Sequence, residues 1–148
     1  MTNRIIVAEL LRIAAKHGGV LEPAAVVQAA RRKSSPLHSK FEWNNSTAAE
    51  AYRLWQARQL ISVTVEYIGR GKRATLQKVF VSLSTDRHRD GPGYRTMTSV
   101  VANKTYREQL LEDALADMKR FREKYAQLKE LAEVFAAMRK VRKRRVRG

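Results

Sequence analysis

The 148-residue chain contains no cysteine. Disulfide bonds and thiolate metal sites are therefore excluded, and a reducing compartment is allowed. Long hydrophobic runs are also missing, so no segment is typical of a membrane-spanning helix. The opening apolar stretch contains Glu9 and Arg12, which argues against a signal-peptide core. We therefore predict a cytoplasmic protein with no membrane association.

Acidic residues are scarce. The sequence has 14 Asp and Glu against 30 Lys and Arg, which gives a formal net charge of +16. Such an imbalance predicts a polyanionic partner, with nucleic acid first. A ribosomal protein, a membrane-surface protein or a polyphosphate binder would share this charge. Hydrophobic residues make up 44%, enough to build a core, and the length allows one domain with an appended helix.

Neither glycine nor proline occurs from Thr105 to Val141. Apolar residues recur there at alternating spacings of three and four, the heptad pattern of a coiled-coil seam. A helix of this length spans about 55 Å, more than the rest of the chain can cover, so we predict self-association. The alternative is a seam that folds back onto the N-terminal domain of its own chain; the oligomer number stays open. The predicted seam residues are Leu111, Ala114, Met118, Phe121, Tyr125, Leu128, Ala132 and Phe135.

Apolar periodicity predicts three helices in the first sixty residues, at Asn3–Lys16, Pro23–Lys33 and Thr47–Leu60. Proline suits the first position of the second helix, and residues 47–50 match a capping box for the third. The connection between these two helices spans about a dozen residues and includes Leu37, Phe41 and Trp43. Since a solvated linker has no need of such side chains, we expect them to pack against the core.

After the third helix, the hydrophobic period changes from 3.6 to 2. Ile61–Tyr67 and Ala74–Leu83 are predicted to form a β-hairpin. Its turn is glycine-rich and basic, with Arg70, Lys72 and Arg73 at the tip.

Three helices followed by a hairpin with a basic tip resemble a winged-helix DNA-binding domain. The predicted fold class is therefore α+β: a winged-helix-like domain over residues 1–84, a connecting loop over 85–104, a long coiled-coil-type helix over 105–141 and a basic tail over 142–148. One departure is the long connection before the third helix, because the turn in a helix-turn-helix usually has three or four residues.

The winged-helix resemblance implies that the third helix enters the major groove. Arginine and glutamine can then pair with guanine and adenine, which makes its polar face the predicted base-reading surface: Tyr52, Arg53, Gln56 and Gln59. The predicted phosphate contacts are Arg31, Arg32, Lys33, Arg70, Lys72, Arg73, Arg142, Lys143, Arg144, Arg145 and Arg147. The alternative is that these are ordinary solvated side chains.

The segment SSPLHSKFEWNNSTAAEAYRLWQAR is similar to part of small, uncharacterised proteins encoded by bacteriophages and prophages. Those proteins carry an SPLHxxFEW-like core, a following helix, and an element like Gly93–Arg95. The resemblance implies a phage setting and no particular activity. Together with the predicted DNA binding, it places the protein in the cytoplasm of a bacterial host cell, associated with the nucleoid.

Titratable groups in the sequence do not form a familiar catalytic or metal-binding pattern. His38 with Glu42, and His88 between Asp86 and Asp90, are the clusters of interest, and neither has a known metal-ligand spacing. We predict no enzyme activity, no metal and no cofactor.

The predicted function is therefore non-catalytic binding of double-stranded DNA, as a regulator, recombination accessory factor or nucleoid-type protein. The alternatives are a phage packaging or structural protein, such as a small terminase-like subunit, and an RNA-binding protein.

Overall fold

A computed structural model describes residues 3–44, 46–68, 71–88 and 91–147. These residues form six α-helices: α1 (Arg4–Lys16), α2 (Pro23–Ala30), α3 (Thr47–Val63), α4 (Met97–Ala102), α5 (Lys104–Lys124) and α6 (Ala132–Arg147). They also form seven short strands: β1 (Val20–Leu21), β2 (Val65–Ile68), β3 (Thr75–Lys78), β4 (Phe80–Val81), β5 (Arg87–His88), β6 (Gly91–Pro92) and β7 (Tyr94–Thr96). The chain is an α+β fold.

Local sequence signals explain the bounds of α1. The Asn3 side chain accepts hydrogen bonds from the backbone N–H groups of Ile5 and Ile6, which satisfies donors that the first turn leaves free. Gly18 and Gly19 follow the helix with φ of +66° and +84°. This left-handed conformation suits glycine and ends the helix at Lys16, within one residue of the predicted bounds.

The second helix is shorter than predicted. It begins at Pro23 but ends at Ala30, three residues before Lys33. The His38 side chain lies beyond its end, with Nδ1 donating to the Ala30 carbonyl oxygen at 2.8 Å. This contact supplies a partner to one of the carbonyls that the last turn leaves free.

The third helix is capped one residue earlier than predicted and runs three residues further. Ser46 is the N-cap, and its hydroxyl accepts from the backbone N–H of Ala49 at 3.1 Å. Glu50 is not the reciprocal partner of a capping box, because its carboxylate binds Arg53 and Arg31. The helix continues through Val63, so the predicted strand loses its first three residues to α3.

The core lies where α1, α2 and α3 meet the three-stranded sheet that β1, β4 and β7 form. The Leu37 side chain is fully buried in it and Phe41 nearly so, while Trp43 packs against its edge. The prediction that the long connection packs on the core is confirmed. The core residues contributed by helices are Ile6, Leu10, Ile13, Ala14, Val26, Val27, Ala30, Ala57 and Ile61.

The strands form three small antiparallel sheets. β7 is the centre of a three-stranded sheet in the order β1–β7–β4, with Val20 opposite Arg95 and Phe80 opposite Thr96. β2 pairs only with β3, and β5 only with β6, over the described residues. Residues 85–104, predicted as a connecting loop, therefore contain the central strand and α4.

The prediction of a winged-helix domain is wrong. The hairpin predicted as the wing forms a two-stranded sheet of its own, separate from the sheet that joins β1 to the rest of the domain. The third helix also places part of its predicted base-reading face in the interior, as described below. The small sheets and packed helices therefore form an α+β arrangement without a clear winged helix.

The prediction of one long coiled-coil helix is also wrong. α5 ends at Lys124, a turn and an extended Leu128 follow, and the chain reverses into α6. Phe121 then lies against Tyr125 and Phe135, with ring centroids 4.9 and 6.3 Å apart. Because α5 and α6 form a helical hairpin, part of the seam packs within its own chain.

The helical hairpin is attached to the domain through the start of α5. Asn103 caps this helix by accepting from the Tyr106 N–H. Further along the helix, the Asp113 carboxylate accepts from the Ser84 N–H at 2.8 Å and from the Gln109 amide at 3.0 Å. Burial raises the pKa of Asp113, but the bonds from Ser84 and Gln109 outweigh it and hold the pKa below its ordinary value.

Candidate nucleic-acid interface

Arg53 belongs to the interior and is removed from the predicted interface. Its side chain is buried, and the residue is only 3% exposed. One terminal nitrogen donates to the carbonyl oxygens of Glu42 and Asn44, each at 3.0 Å, and the other donates to the Glu50 carboxylate at 2.7 Å. With its donors used inside the fold, this guanidinium cannot pair with a base in the described conformation.

The helical phase of α3 explains the error. Ala49, Arg53, Ala57 and Ile61 are spaced by four and lie on one row, which is the buried side of the helix. Arg53 therefore lies on the buried side of α3, whereas Tyr52 and Gln59 of the predicted base-reading face are exposed.

The exposed face of α3 carries an aromatic pair that the sequence interpretation missed. Tyr52 and Trp55 stack with their ring centroids 5.6 Å apart and their planes inclined by 15°, and each residue is 49% exposed. Gln59 follows one turn later and is exposed, as predicted. Gln56 is partly engaged, because its amide oxygen accepts from the Glu42 N–H at 3.1 Å.

The cations after α2 lie at the surface. Arg31 pairs with Glu50 at 3.0 Å, and both side chains are more than 40% exposed, so this ion pair is solvent-screened. Arg32 and Lys33 are exposed, and no described carboxylate forms an ion pair with either. Of the three predicted phosphate-binding residues after α2, Arg32 and Lys33 are therefore exposed cations that no described carboxylate pairs with.

The tip of the β2–β3 hairpin is only partly described. Lys72 and Arg73 lie in a short 3-10 turn between the strands and are exposed. Arg70, also predicted to bind phosphate, lies outside the described residues. Both described cations are thus exposed at the turn that joins the strands of a separate two-stranded sheet.

Helix α6 carries the densest positive charge in the chain. Seven Lys and Arg residues and a single carboxylate, Glu133, occur within Ala132–Arg147. The predicted binding residues Arg142, Lys143 and Arg144 are exposed on it. Arg145 is half-buried and pairs with Glu112 of α5 at 2.7 Å. Arg147 lies in the last turn, and its side chain is not described.

Folding back places the basic end of α6 beside cations of α5. A groove of about 430 Å³ runs between the two helices, and we call it the α5–α6 groove. Its walls are formed by Glu112, Leu115, Ala116, Lys119, Arg142 and Arg145. A smaller adjoining depression shares three of these residues and adds Met118, Arg122, Met138 and Arg139, and the name α5–α6 groove covers both. The sequence interpretation did not connect Lys119 and Arg122 with the tail, because a straight helix would hold them far apart.

The predicted oligomerisation residues have two different environments. Phe135 is buried in the helical hairpin, and Met118 lies in the wall of the depression beside Met138. Leu111, Phe121 and Leu128 remain between 41% and 47% exposed. Of the others, Ala114 and Ala132 are exposed and Tyr125 is partly buried.

The titratable clusters considered for catalysis are held in structural contacts. His38 stacks on Trp43 with ring centroids 5.0 Å apart and caps α2, as described above. Asp86 is buried and binds Arg95 through two hydrogen bonds of 2.6 and 2.8 Å. The hydrogen bonds that Arg95 donates to the Asp86 carboxylate raise the pKa of Arg95. Across the described ranges, no three His, Cys, Asp or Glu side chains converge as a metal site would require; Asp90 lies outside those ranges.

Comparison with protein-family models, curated proteins and solved structures finds no match to this chain. In the described residues, no helix combines the length and hydropathy needed to span a bilayer.

Proposed function

We propose that this chain is a non-catalytic protein that binds double-stranded DNA mainly through phosphate contacts. The observation that carries the proposal is α6, in which seven cations accompany one carboxylate. Phosphate contacts supply most of the affinity of nonspecific DNA binding and need cations that carboxylates do not neutralise. Among the described residues, Arg139, Arg142 and Lys143 meet that requirement, since they are exposed and form no ion pair with a described carboxylate.

The surface of α3 favours a nucleoid-type or accessory role over that of a sequence-specific regulator. With Arg53 in the interior, the predicted base-reading face keeps Tyr52 and Gln59, with Gln56 partly engaged. Specific regulators usually depend on bidentate contacts to bases, and one free glutamine offers little of this kind. A phage setting, in which the protein acts on phage or host DNA, stays a prediction that rests on the SPLHxxFEW-like segment.

A second candidate function is binding of single-stranded nucleic acid or RNA, and the exposed aromatic pair favours it. Bases stack on aromatic side chains only when they are unpaired, and each such stack is worth about 1–3 kcal/mol. Tyr52 and Trp55 present aromatic surface at the outside of α3. A duplex-binding protein has no evident use for this pair.

Titration of the wild-type chain against labelled duplex DNA, single-stranded DNA and RNA of equal length tests both candidates. We expect the duplex to bind tightest, with log K falling steeply as log salt rises, because each phosphate contact releases counterions. Absence of binding to every one of these ligands at 50 mM salt would contradict the proposal.

The variant Trp55→Ala separates the two candidates. Duplex binding should remain within twofold of wild type, since paired bases expose no face for stacking. Preferential binding of a single strand or RNA that falls at least fivefold in Trp55→Ala would replace the first candidate with the second. Gln59→Ala, which alters the same face without removing a ring, is the matched control.

A further inference from the structure

We propose that the α5–α6 groove is where the chain holds the phosphate backbone of DNA. This inference rests on the proposed function and deepens it, because it assigns affinity to a site that two helices build together. A flexible basic tail would spread its contacts evenly. The groove instead concentrates them between two helical walls.

The charges around the groove are almost all of one sign. Lys119 and Arg122 project from α5, and Arg139 and Arg142 project from α6. The carboxylate in the wall, Glu112, is paired with Arg145. Glu123 approaches Lys119 at 3.8 Å, but both side chains are more than half exposed, and such pairs contribute little. Four cations are therefore available to an anion that enters the groove.

The spacing of these cations suits a backbone of phosphates. Residues three apart on a helix are neighbours along its axis, about 4.5 Å apart in rise. Each wall therefore carries two adjacent cations, Lys119 with Arg122 and Arg139 with Arg142. Packed helices lie about 8–10 Å apart, so long side chains from both walls can reach the same phosphate. Arginine adds the option of two parallel hydrogen bonds to one phosphate group.

Part of the groove lining is apolar, which strengthens the site. Leu115, Met118 and Met138 line the groove together with the four cations. Charges that face each other over apolar surface are screened less than charges surrounded by water.

Two pairs of cations in the same helix provide a matched experiment. Arg139 and Arg142 lie in the walls of the groove. Lys140 and Arg144 are exposed and are absent from those walls, and at 100° per residue they lie on the other side of α6. Removing either pair with Gln changes the net charge of the full chain by the same amount and keeps helix propensity.

Duplex binding is measured for both double variants across a salt series. We expect R139Q/R142Q to weaken binding on the order of tenfold or more and to reduce the salt slope by about 0.9 for each phosphate that the variant no longer binds. K140Q/R144Q should weaken binding less than threefold and keep most of the slope. Far-UV circular dichroism of both variants serves as the control that they retain their helices.

The α5 side of the groove gives a second, independent readout. K119Q/R122Q should weaken binding about as much as R139Q/R142Q. Combining the two pairs should add little, because both pairs hold the same phosphates and energies in one network are not additive. Combining K119Q/R122Q with K140Q/R144Q should instead be additive.

Three outcomes would contradict the proposal that the α5–α6 groove binds the phosphate backbone. Equal losses of affinity in R139Q/R142Q and K140Q/R144Q would show that the tail acts through its charge alone, while leaving the proposed function in place. Full additivity of K119Q/R122Q with R139Q/R142Q would show that the two walls bind separately. Displacement of the duplex by polyglutamate as readily as by a second duplex would make the groove a general polyanion site. Failure of the wild-type chain to bind any nucleic acid would instead remove the proposed function itself.

Discussion

Arg53 shows how a charged residue can organise a fold from within. Its guanidinium joins the start of α3, through Glu50, to the backbone carbonyls of Glu42 and Asn44 in the preceding loop. The ring of Trp43 lies 5.5 Å from the same guanidinium. Arg53 therefore fixes the path of the long connection against α3, and its role is structural.

Replacing Arg53 with Met should destabilise the protein by about 2–4 kcal/mol, because the buried side chain loses its hydrogen bonds to two backbone carbonyls and to the Glu50 carboxylate. Urea unfolding followed by circular dichroism measures this change. Gln59→Met on the exposed face of the same helix is the control and should stay within about 0.5 kcal/mol of wild type. If Arg53→Met left the stability unchanged but reduced the affinity for DNA, the role of Arg53 would be DNA contact rather than structural support.

Protonation of Glu50 should contribute to the loss of folding stability in acid. The hydrogen bond from Arg53 holds the pKa of this carboxyl below its ordinary value of 4.5, and the charge of Arg31 adds to the effect. A depressed pKa in the folded state contributes stability that is present above the unfolded pKa and is lost as pH falls through the folded one. Thermal unfolding of wild type should therefore show a steeper loss of Tm below pH 4.5 than Glu50→Gln. Parallel curves would contradict this.

Residue environments were the least predictable part of the molecule. The burial of Leu37 and Phe41 follows from their chemistry, since large apolar side chains in a loop need a place to pack. The burial of Arg53 depends on two carbonyls that the loop brings close, and no periodicity in α3 encodes the path of that loop. Trp55 could have been noticed, because it lies three residues after Tyr52 and therefore on the same helical face.

At the scale of elements, the break between α5 and α6 is the main departure from the sequence pattern. Residues 125–131 contain neither glycine nor proline, and local propensity favours an uninterrupted helix. Most helical stability in proteins comes from packing an apolar face, and a straight helix would leave both of its halves unpacked. The reversal buries Phe135 against Phe121. Tyr125, Leu128 and Leu131 N–H groups still find carbonyl partners in the turn.

Phe135→Ala should loosen α6 without unfolding the N-terminal helices. The residue is 6% exposed, and removing a buried phenyl group costs about 3–5 kcal/mol. Amide hydrogen exchange should therefore accelerate throughout α6 and remain slow in α1. Its neighbour Val134 is 46% exposed, so Val134→Ala serves as the control and should leave both helices protected. Uniform acceleration in α1 and α6 would show that the hairpin and the domain unfold as one unit.

The features predicted best were helix ends that proline or glycine marks in the local sequence. Pro23, Gly18 and Gly19 mark helix ends through backbone geometry that depends on few neighbours. β7 was missed because its three residues, Tyr94–Thr96, become a strand only through pairing with β1 and β4. Long-range pairing of this kind leaves little trace in a short stretch of sequence.

At the scale of the whole molecule, self-association stays a prediction, now with a smaller set of residues. Leu111 and Leu128 are exposed on the helical hairpin, whereas Met118 and Phe135 are used within the chain. We expect the wild-type protein to sediment as an oligomer at tens of micromolar, and Leu111→Asp with Leu128→Asp to yield folded monomers, because a charge is costly in an apolar interface. A monomeric wild-type protein would refute the prediction. A ring of many subunits would favour a packaging role, and a dimer a regulator or accessory factor.

In the proposed DNA complex, the reversal of the chain at the end of α5 would also set the length of duplex that the helical region occupies. A single helix over residues 105–141 would lie along about 55 Å of DNA, or roughly 16 base pairs, at 1.5 Å per residue and 3.4 Å per base pair. The longer arm of the helical hairpin, α5 with 21 residues, extends for about 32 Å, or roughly nine base pairs, at the same two spacings. Doubling the helix back thus shortens the footprint to about 60% and places two rows of cations side by side. At saturation in low salt, a given length of DNA would carry about 1.7 times as many chains as a straight helix would allow, and a stoichiometric titration counts them directly.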